Sequence, residues 1–358
     1  MLKAGLSGYQ SYLHAISLLE GLKNSDVVEI VSVFDENPKQ AQRLGEVAGD
    51  VKVFTDLDGF VDSGIDFAIL TGLPSKKLTE ITKLASAKKH IFVDKPISGT
   101  SEDAFEITEV CKKENVKLMV AYNLHWAQSL KQAKAILQEG KLGKPLYGFY
   151  AYDGPILQET EWSKKLGWLN DRKEHMSYWF IHIDHGINLF MWLLDGMYTD
   201  VYAQITQLSN SEHDMADWGI GVLTMDNGAK VVLKCDAVTP AEFEIINIRI
   251  ICEHGGLKFR YLPQSSLEVV GRHLSSNNVW KYDFKDQWPE VLPKMAEDFA
   301  SFITDNRPIP AHVGGEIAGY RLMKVAEIIH KSSDLNKQLE IPLASFESGN
   351  TGGKRGYR

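Results

Sequence analysis

Read by the spacing of its apolar residues, the chain divides in two near residue 122. Residues 2–6, 27–34, 51–54, 66–71, 91–93 and 117–122 are short apolar runs, the pattern of strands covered on both faces. Between them, 12–22, 39–48, 56–62 (with Thr55 as N-cap), 76–87 and 102–114 repeat apolar positions at helical spacing. Strand and helix in alternation predict an α/β domain over 1–122 with a doubly wound parallel sheet. From 146 the period becomes two. Residues 147–152, 200–206, 218–225, 229–235, 244–252, 257–261 and 267–270 read as strands, and Asp226-Asn227-Gly228 makes a hairpin turn between two of them. With amphipathic helices at 177–196, 289–304 and 315–331, they predict an α+β domain over 123–347 with a mostly antiparallel sheet and helices on one face. The segment 348–358, polar and rich in Gly, reads as a disordered tail.

Composition narrows the class. A chain of 358 residues, 44% hydrophobic and 24% charged, is that of a two-domain globular protein. A net charge of −8 leaves no broad basic surface for nucleic acid. No apolar run reaches the ~20 residues of a membrane span, and a strand opening at Leu2 leaves no room for a leader peptide, so a cytoplasmic protein is expected. Cys111, Cys235 and Cys252 have neither metal-ligand spacing nor a CxxC pair; they are expected to be reduced and packed, and no metal site is expected.

Candidate chemistry begins at the first strand. Gly5-Leu6-Ser7-Gly8-Tyr9 leads into a helix, where unpaired N–H groups and the helix dipole favour a pyrophosphate. A strict GxGxxG would need glycines at 6, 8 and 11; the chain has Leu6, Gly8 and Ser11. Asp35 ends the second strand, where a carboxylate accepts from an adenine ribose and repels a 2′-phosphate, so NAD is expected over NADP. Asp35-Glu36-Asn37-Pro38 also makes a good helix start, and both readings stand. Thr71-Gly72-Leu73-Pro74 is a small, turn-prone segment suited to the nicotinamide half of the cofactor. The run Ile91-Phe92-Val93 ends on Asp94-Lys95-Pro96, which delivers Lys95 to the carboxyl edge of the sheet, where open α/β folds bind ligands.

The order of these pieces carries a resemblance. A glycine turn, an acid after the second strand, a Thr-x-x-Pro loop, Asp94-Lys95-Pro96, the polar-aromatic Tyr122–Trp126 stretch and Gly140-Lys141-Leu142-Gly143 resemble the glucose-fructose oxidoreductase / inositol dehydrogenase (Gfo/Idh/MocA) family, whose signature here is Glu-Lys-Pro. His185-Gly186-Ile187-Asn188 before Trp192-Leu193 resembles the family helix in which an Asp and, four residues on, a His face the substrate. His185 matches that His; Ile181 stands where the Asp would be, with His182 and Asp184 the nearest polar substitutes.

The resemblance implies a Rossmann domain joined to a substrate domain, with a homodimer or homotetramer formed through the second sheet. It implies cofactor contacts from Gly5, Ser7, Gly8, Tyr9, Asp35, Thr71, Pro74, Asp94 and Lys95. Substrate contacts fall to Asn123, His125, Trp168, Asp184 and His185, with Lys95 and His185 catalytic. Between the domains, 159–175 mixes Trp162 and Trp168 with Lys164, Lys165, Asn170 and His175, which suits a sugar's C–H face and hydroxyls, and equally a solvated loop. The implied reaction moves hydride between NAD and a secondary alcohol of a sugar, polyol or related cyclic alcohol. Lys95 bonds the reacting oxygen and His185 takes its proton. Two other readings share the fold: an NAD-dependent glycoside-cleaving enzyme, and a sugar or dinucleotide sensor without turnover.

Overall fold

The computed structural model describes residues 1–154, 167–209, 215–243, 245–260, 265–272, 278–282 and 291–342. Its first layer is a six-stranded parallel sheet of β1 (Leu2–Ser7), β2 (Val28–Phe34), β3 (Lys52–Phe54), β4 (Phe67–Leu70), β5 (His90–Val93) and β6 (Leu118–Val120), in the order β3-β2-β1-β4-β5-β6. The order reverses direction between β1 and β4, which opens a crevice beyond their carboxyl ends. The connecting helices are α1 (Tyr12–Leu22), α2 (Pro38–Ala48), α3 (Leu57–Val61), α4 (Pro74–Ser86) and α5 (Ser101–Lys113).

Local chemistry sets the helix starts. Pro38 and Pro74 occupy first-turn positions, where their fixed φ costs nothing, and Asn37 and Thr100 accept from the N–H groups of Lys39 and Asp103. The expected cap at Thr55 is corrected: Asp56, extended at φ −119°, accepts from Gly59 N at 2.7 Å, its carboxylate being the better acceptor.

After a 3₁₀ turn (Asn123–Trp126) and α6 (Gln128–Gln138) comes a nine-stranded sheet. It comprises β7 (Pro145–Asp153), β8 (Tyr198–Thr206), β9 (Trp218–Met225), β10 (Lys230–Asp236), β11 (Ile245–Cys252), β12 (Gly255–Arg260), β13 (Ser266–Gly271), β14 (Asn278–Lys281) and β15 (Leu339–Glu340). The order is β14-β13-β12-β11-β7-β10-β9-β8-β15, antiparallel throughout except for the parallel pair β7 and β10. One face carries α7 (Tyr178–Leu193), capped by Ser177 on Phe180 N, and α9 (Leu322–Leu335). Gly148 lets α7 approach: a Cβ there would lie 2.5 Å from the Phe190 ring.

The helix at 315–331 resembles the family's C-terminal helix, which implies a return of the chain to the first domain. That return begins earlier. α8 (Val291–Thr304) sets the Phe299 ring 5.5 Å from Phe67 and 5.9 Å from Phe92, and a π-helical turn, Gly315–Arg321, packs on α5, where the Thr108 hydroxyl donates to Gly315 O. α9 itself lies mainly on β8. Among the described residues, no helix is long and apolar enough to cross a membrane. The segment 348–358 lies outside the described residues.

Candidate active site

The glycine turn is built from two strand ends. Gly8, at φ +90°, runs so close to the β4 loop that a Cβ would fall 2.2 Å from Gly72 Cα. Thr71 holds the two loops together, donating from N to Ser7 O (2.7 Å) and from Oγ1 to Gly8 O (2.5 Å), while Ser11 N donates back to Thr71 O (3.0 Å). Among the described residues no side chain caps α1, which leaves its first-turn N–H groups open to an anion. Asp35 lies beside the turn and is 4% exposed. It accepts from Tyr9 N at 3.0 Å and Asn37 N at 2.8 Å, and burial raises its carboxyl against those bonds.

The remaining candidates on this side take different places. Gly5 lies inside β1, where the Phe60 ring would meet its Cβ at 2.5 Å, so packing explains it. Ser7 donates to Glu80 Oε2 at 2.7 Å, and burial pushes Glu80 up to about 7. Tyr9 stacks edge-on to Tyr12, with the Arg43 guanidinium 5.9 Å from its ring. Pro74 opens α4 beside the crevice.

Asp94 and Lys95 follow β5. Burial alone would raise the Asp94 carboxyl, but the His14 ring at 2.9 Å and the nearby Lys77 ammonium outweigh it and hold the group at about 2. Lys95 is 8% exposed, and its ammonium reaches into the second domain, donating to Ile181 O (2.5 Å) and Asp184 Oδ1 (3.4 Å) on α7. Asp184 also accepts from His185 N (2.7 Å) and the Tyr122 hydroxyl (3.4 Å). Burial raises it to about 6 in spite of Lys95.

His185 meets Tyr122 edge-on at 5.7 Å. Burial, then the Lys95 charge, push the imidazole well below its usual range and keep it neutral. His182 stacks on Tyr152 at 4.0 Å and is lowered for the same two reasons. Residue 181 thus contributes a carbonyl where the family pattern has a carboxylate, and Asp184 brings a carboxylate to Lys95 from one helical turn further on.

Not every candidate joins this group. His125 is packed with the rings of Trp192 and His312, each 4.5 Å away, and bonds Asn188 Oδ1; burial lowers it. Asn123 is 1% exposed, and neither polar atom of its amide has a partner among the described residues. Trp168 stands at the glycine turn, its indole N–H donating to Gln10 O at 3.0 Å. Trp162, Lys164 and Lys165 lie outside the described residues.

Sequence reasoning missed four polar residues: His14, Lys77, Glu80 and Glu174. Glu174 accepts from Ser75 N (3.0 Å) and Oγ (2.7 Å), so the second domain caps α4. One signal was available: Lys77 interrupts the apolar face of α4 formed by Pro74, Ile81 and Leu84.

Comparison with known proteins identifies the family of both domains. The model of the oxidoreductase family with an NAD-binding Rossmann fold matches residues 4–122, and that of the GFO/IDH/MocA C-terminal domain matches 130–258. An uncharacterized oxidoreductase of Streptococcus pneumoniae is 27% identical over 198 residues, which is 55% of this chain and about half (51%) of that protein. The scyllo-inositol 2-dehydrogenase (NAD(+)) of Bacillus subtilis is 23% identical over 87% of this chain and 88% of its own. Among solved structures, levoglucosan dehydrogenase in complex with NADH and levoglucosan superimposes with a TM-score of 0.82 at 18% identity, covering 95% of this chain and 99% of that one.

Proposed function

The chain belongs to the GFO/IDH/MocA family of oxidoreductases, and on that premise we propose that it is an NAD-dependent dehydrogenase. Its substrate is a secondary alcohol, or the corresponding ketone, of a sugar, polyol or related cyclic alcohol. One observation carries the reading: Lys95 from β5 meets Asp184 and His185 of α7 beyond the carboxyl edge of the sheet that also ends in Gly8 and Asp35.

The residues present fit a dinucleotide. The Gly8 backbone and the uncapped start of α1 suit a pyrophosphate, and Asp35 suits the ribose hydroxyls while disfavouring a 2′-phosphate. When bound, NAD supplies the hydride acceptor. Lys95 donates to the reacting oxygen and stabilises the negative charge that develops there. His185, neutral beside Lys95, takes the hydroxyl proton in oxidation and returns it in reduction. Asp184 orients Lys95. The buried Asn123 amide, which costs ~1–3 kcal/mol per polar atom left unbonded, is matched by a ligand's hydroxyl or amide.

The reading extends to assembly. Tyr202, Val222, Val232 and Phe149 form a row across the sheet face opposite α7 and α9, with Tyr147 and Ile220 beside it, and two or four copies bury that row against one another.

The test is a titration with NAD and NADP followed by tryptophan fluorescence, after removal of any co-purified cofactor. A screen of scyllo-inositol, D-xylose and levoglucosan for NADH formation comes next. NAD is expected to bind at least ~10-fold more tightly than NADP. Lys95→Met is expected to lose ~10²–10⁴ in turnover while keeping its NAD affinity. A preference for NADP would overturn the role of Asp35, and undiminished turnover in the Lys95 variant would overturn the mechanism.

A further inference from the structure

Lys77 is a deeply buried charge beside the site that the proposed chemistry does not use. It is 2% exposed, on the face of α4 that packs Pro74, Ile81 and Leu84 inward, a slot where an apolar side chain would avoid the cost of desolvating an ammonium. Its Nζ donates to Asp94 O and to Pro96 O, both at 2.6 Å. Those two carbonyls flank Lys95. The N–H of Lys95 is held separately, by Asp94 Oδ1 at 2.9 Å. The backbone on both sides of Lys95 is therefore tied down, while the side chain is left to reach α7.

Charges surround Lys77 from each packed element: the Asp94 carboxylate and the Lys95 ammonium from the segment after β5, Glu80 from its own helix, and Glu174 from the second domain. The three carboxyls favour the ammonium, whereas burial, the largest influence, and then Lys95 oppose it; the balance sits at about 8. A methionine would fill the same slot without that conflict. What an ammonium on a four-carbon stem offers there is donors that reach both carbonyls and so span a single residue.

We propose that Lys77 is a positioning residue for the reaction. Its ammonium clamps the carbonyls of Asp94 and Pro96 and so aims Lys95 at the reacting oxygen. This rests on the reading of Lys95 given above. Lys77 touches neither substrate nor cofactor; it acts through Lys95 alone.

Hydrogen exchange tests the clamp without any substrate. In Lys77→Met, amides of the 93–98 segment are expected to exchange at least ~10-fold faster, with β1 and β4 unchanged. Protection equal to wild type over 93–98, or an equal loss throughout the first sheet, overturns the clamp. Lys77→Gln, which keeps two amide donors on a shorter stem, provides a second variant should Lys77→Met fail to fold, and the same exchange pattern is expected of it.

Kinetics then test the link to Lys95. With the substrate that scores in the panel of scyllo-inositol, D-xylose and levoglucosan, Lys77→Met is expected to lower kcat ~10–100-fold and leave KM within about twofold. In a Lys95→Met background the same substitution is expected to change kcat by less than about twofold, since a residue acting only through Lys95 has nothing left to aim. A loss that persists undiminished in that background overturns the proposal while leaving the role of Lys95 intact. A Lys95→Met variant with full turnover instead overturns the Lys95 reading itself, and the clamp's catalytic role with it.

Discussion

At the scale of single residues, the site sets two carboxylates at opposite ends of the same lysine and in opposite electrostatic states. Asp94, held at about 2 by His14 and Lys77, is a group whose folded value lies below its ordinary 3.8. Its contribution is present above about pH 4 and is lost as the pH falls through about 2, and by linkage it amounts to about 2 kcal/mol at neutral pH. Asp94→Asn should therefore lower urea stability by about that much at pH 7 and by far less near pH 2. Asp184 behaves in the reverse sense. Raised to about 6, it carries the charge that holds Lys95 only above that pH, so turnover is expected to fall as the solution is acidified through 6. Asp184→Asn should lower turnover ~10–100-fold at neutral pH and remove that acid limb from the profile; a limb that stays in place would assign it to another group. Lys95, Asp35 and His185 could be proposed from the sequence because each sits at a fixed offset from a strand end or a helix motif. The pairing of Lys95 with Asp184 was not, because it depends on how α7 docks across the crevice, and no spacing along the chain records that.

At the scale of elements, apolar periodicity placed most strands and helices within one or two residues of their observed ends. It failed where pairing, not period, defines the element. β14 and β15 are short edge strands that exist through their neighbours, and the parallel pairing of β7 with β10 joins strands far apart in sequence. The turn between β1 and α1 depends on one glycine. Gly8→Ala adds a methyl against Gly72 at φ +90°, a strain of ~1–3 kcal/mol, and should weaken NAD binding at least ~10-fold in the fluorescence titration. The Trp168 indole bonded to Gln10 makes that titration sensitive to this very turn. α4 relies on a cap from the other domain. Glu174→Ala should cost ~0.5–2 kcal/mol of stability in chemical denaturation, the usual value of a lost N-terminal cap.

At the scale of the whole molecule, the proposed assembly rests on the outer face of the second sheet. Val222 is 44% exposed at the centre of an apolar row, an unusual position for a lone chain in water. Val222→Glu should shift the particle seen by light scattering from dimer or tetramer to monomer, and an unchanged mass would place the contact elsewhere. A different consequence lies in the return of α8 to the first sheet, where Phe299 covers Phe67 and Phe92. During synthesis, residues 1–122 leave the ribosome well before that ring exists. At ~5–20 residues per second the wait is roughly 10–30 s. For that interval the nascent sheet presents Phe67 and Phe92 without their lid, so the domain made first is among the last to be finished.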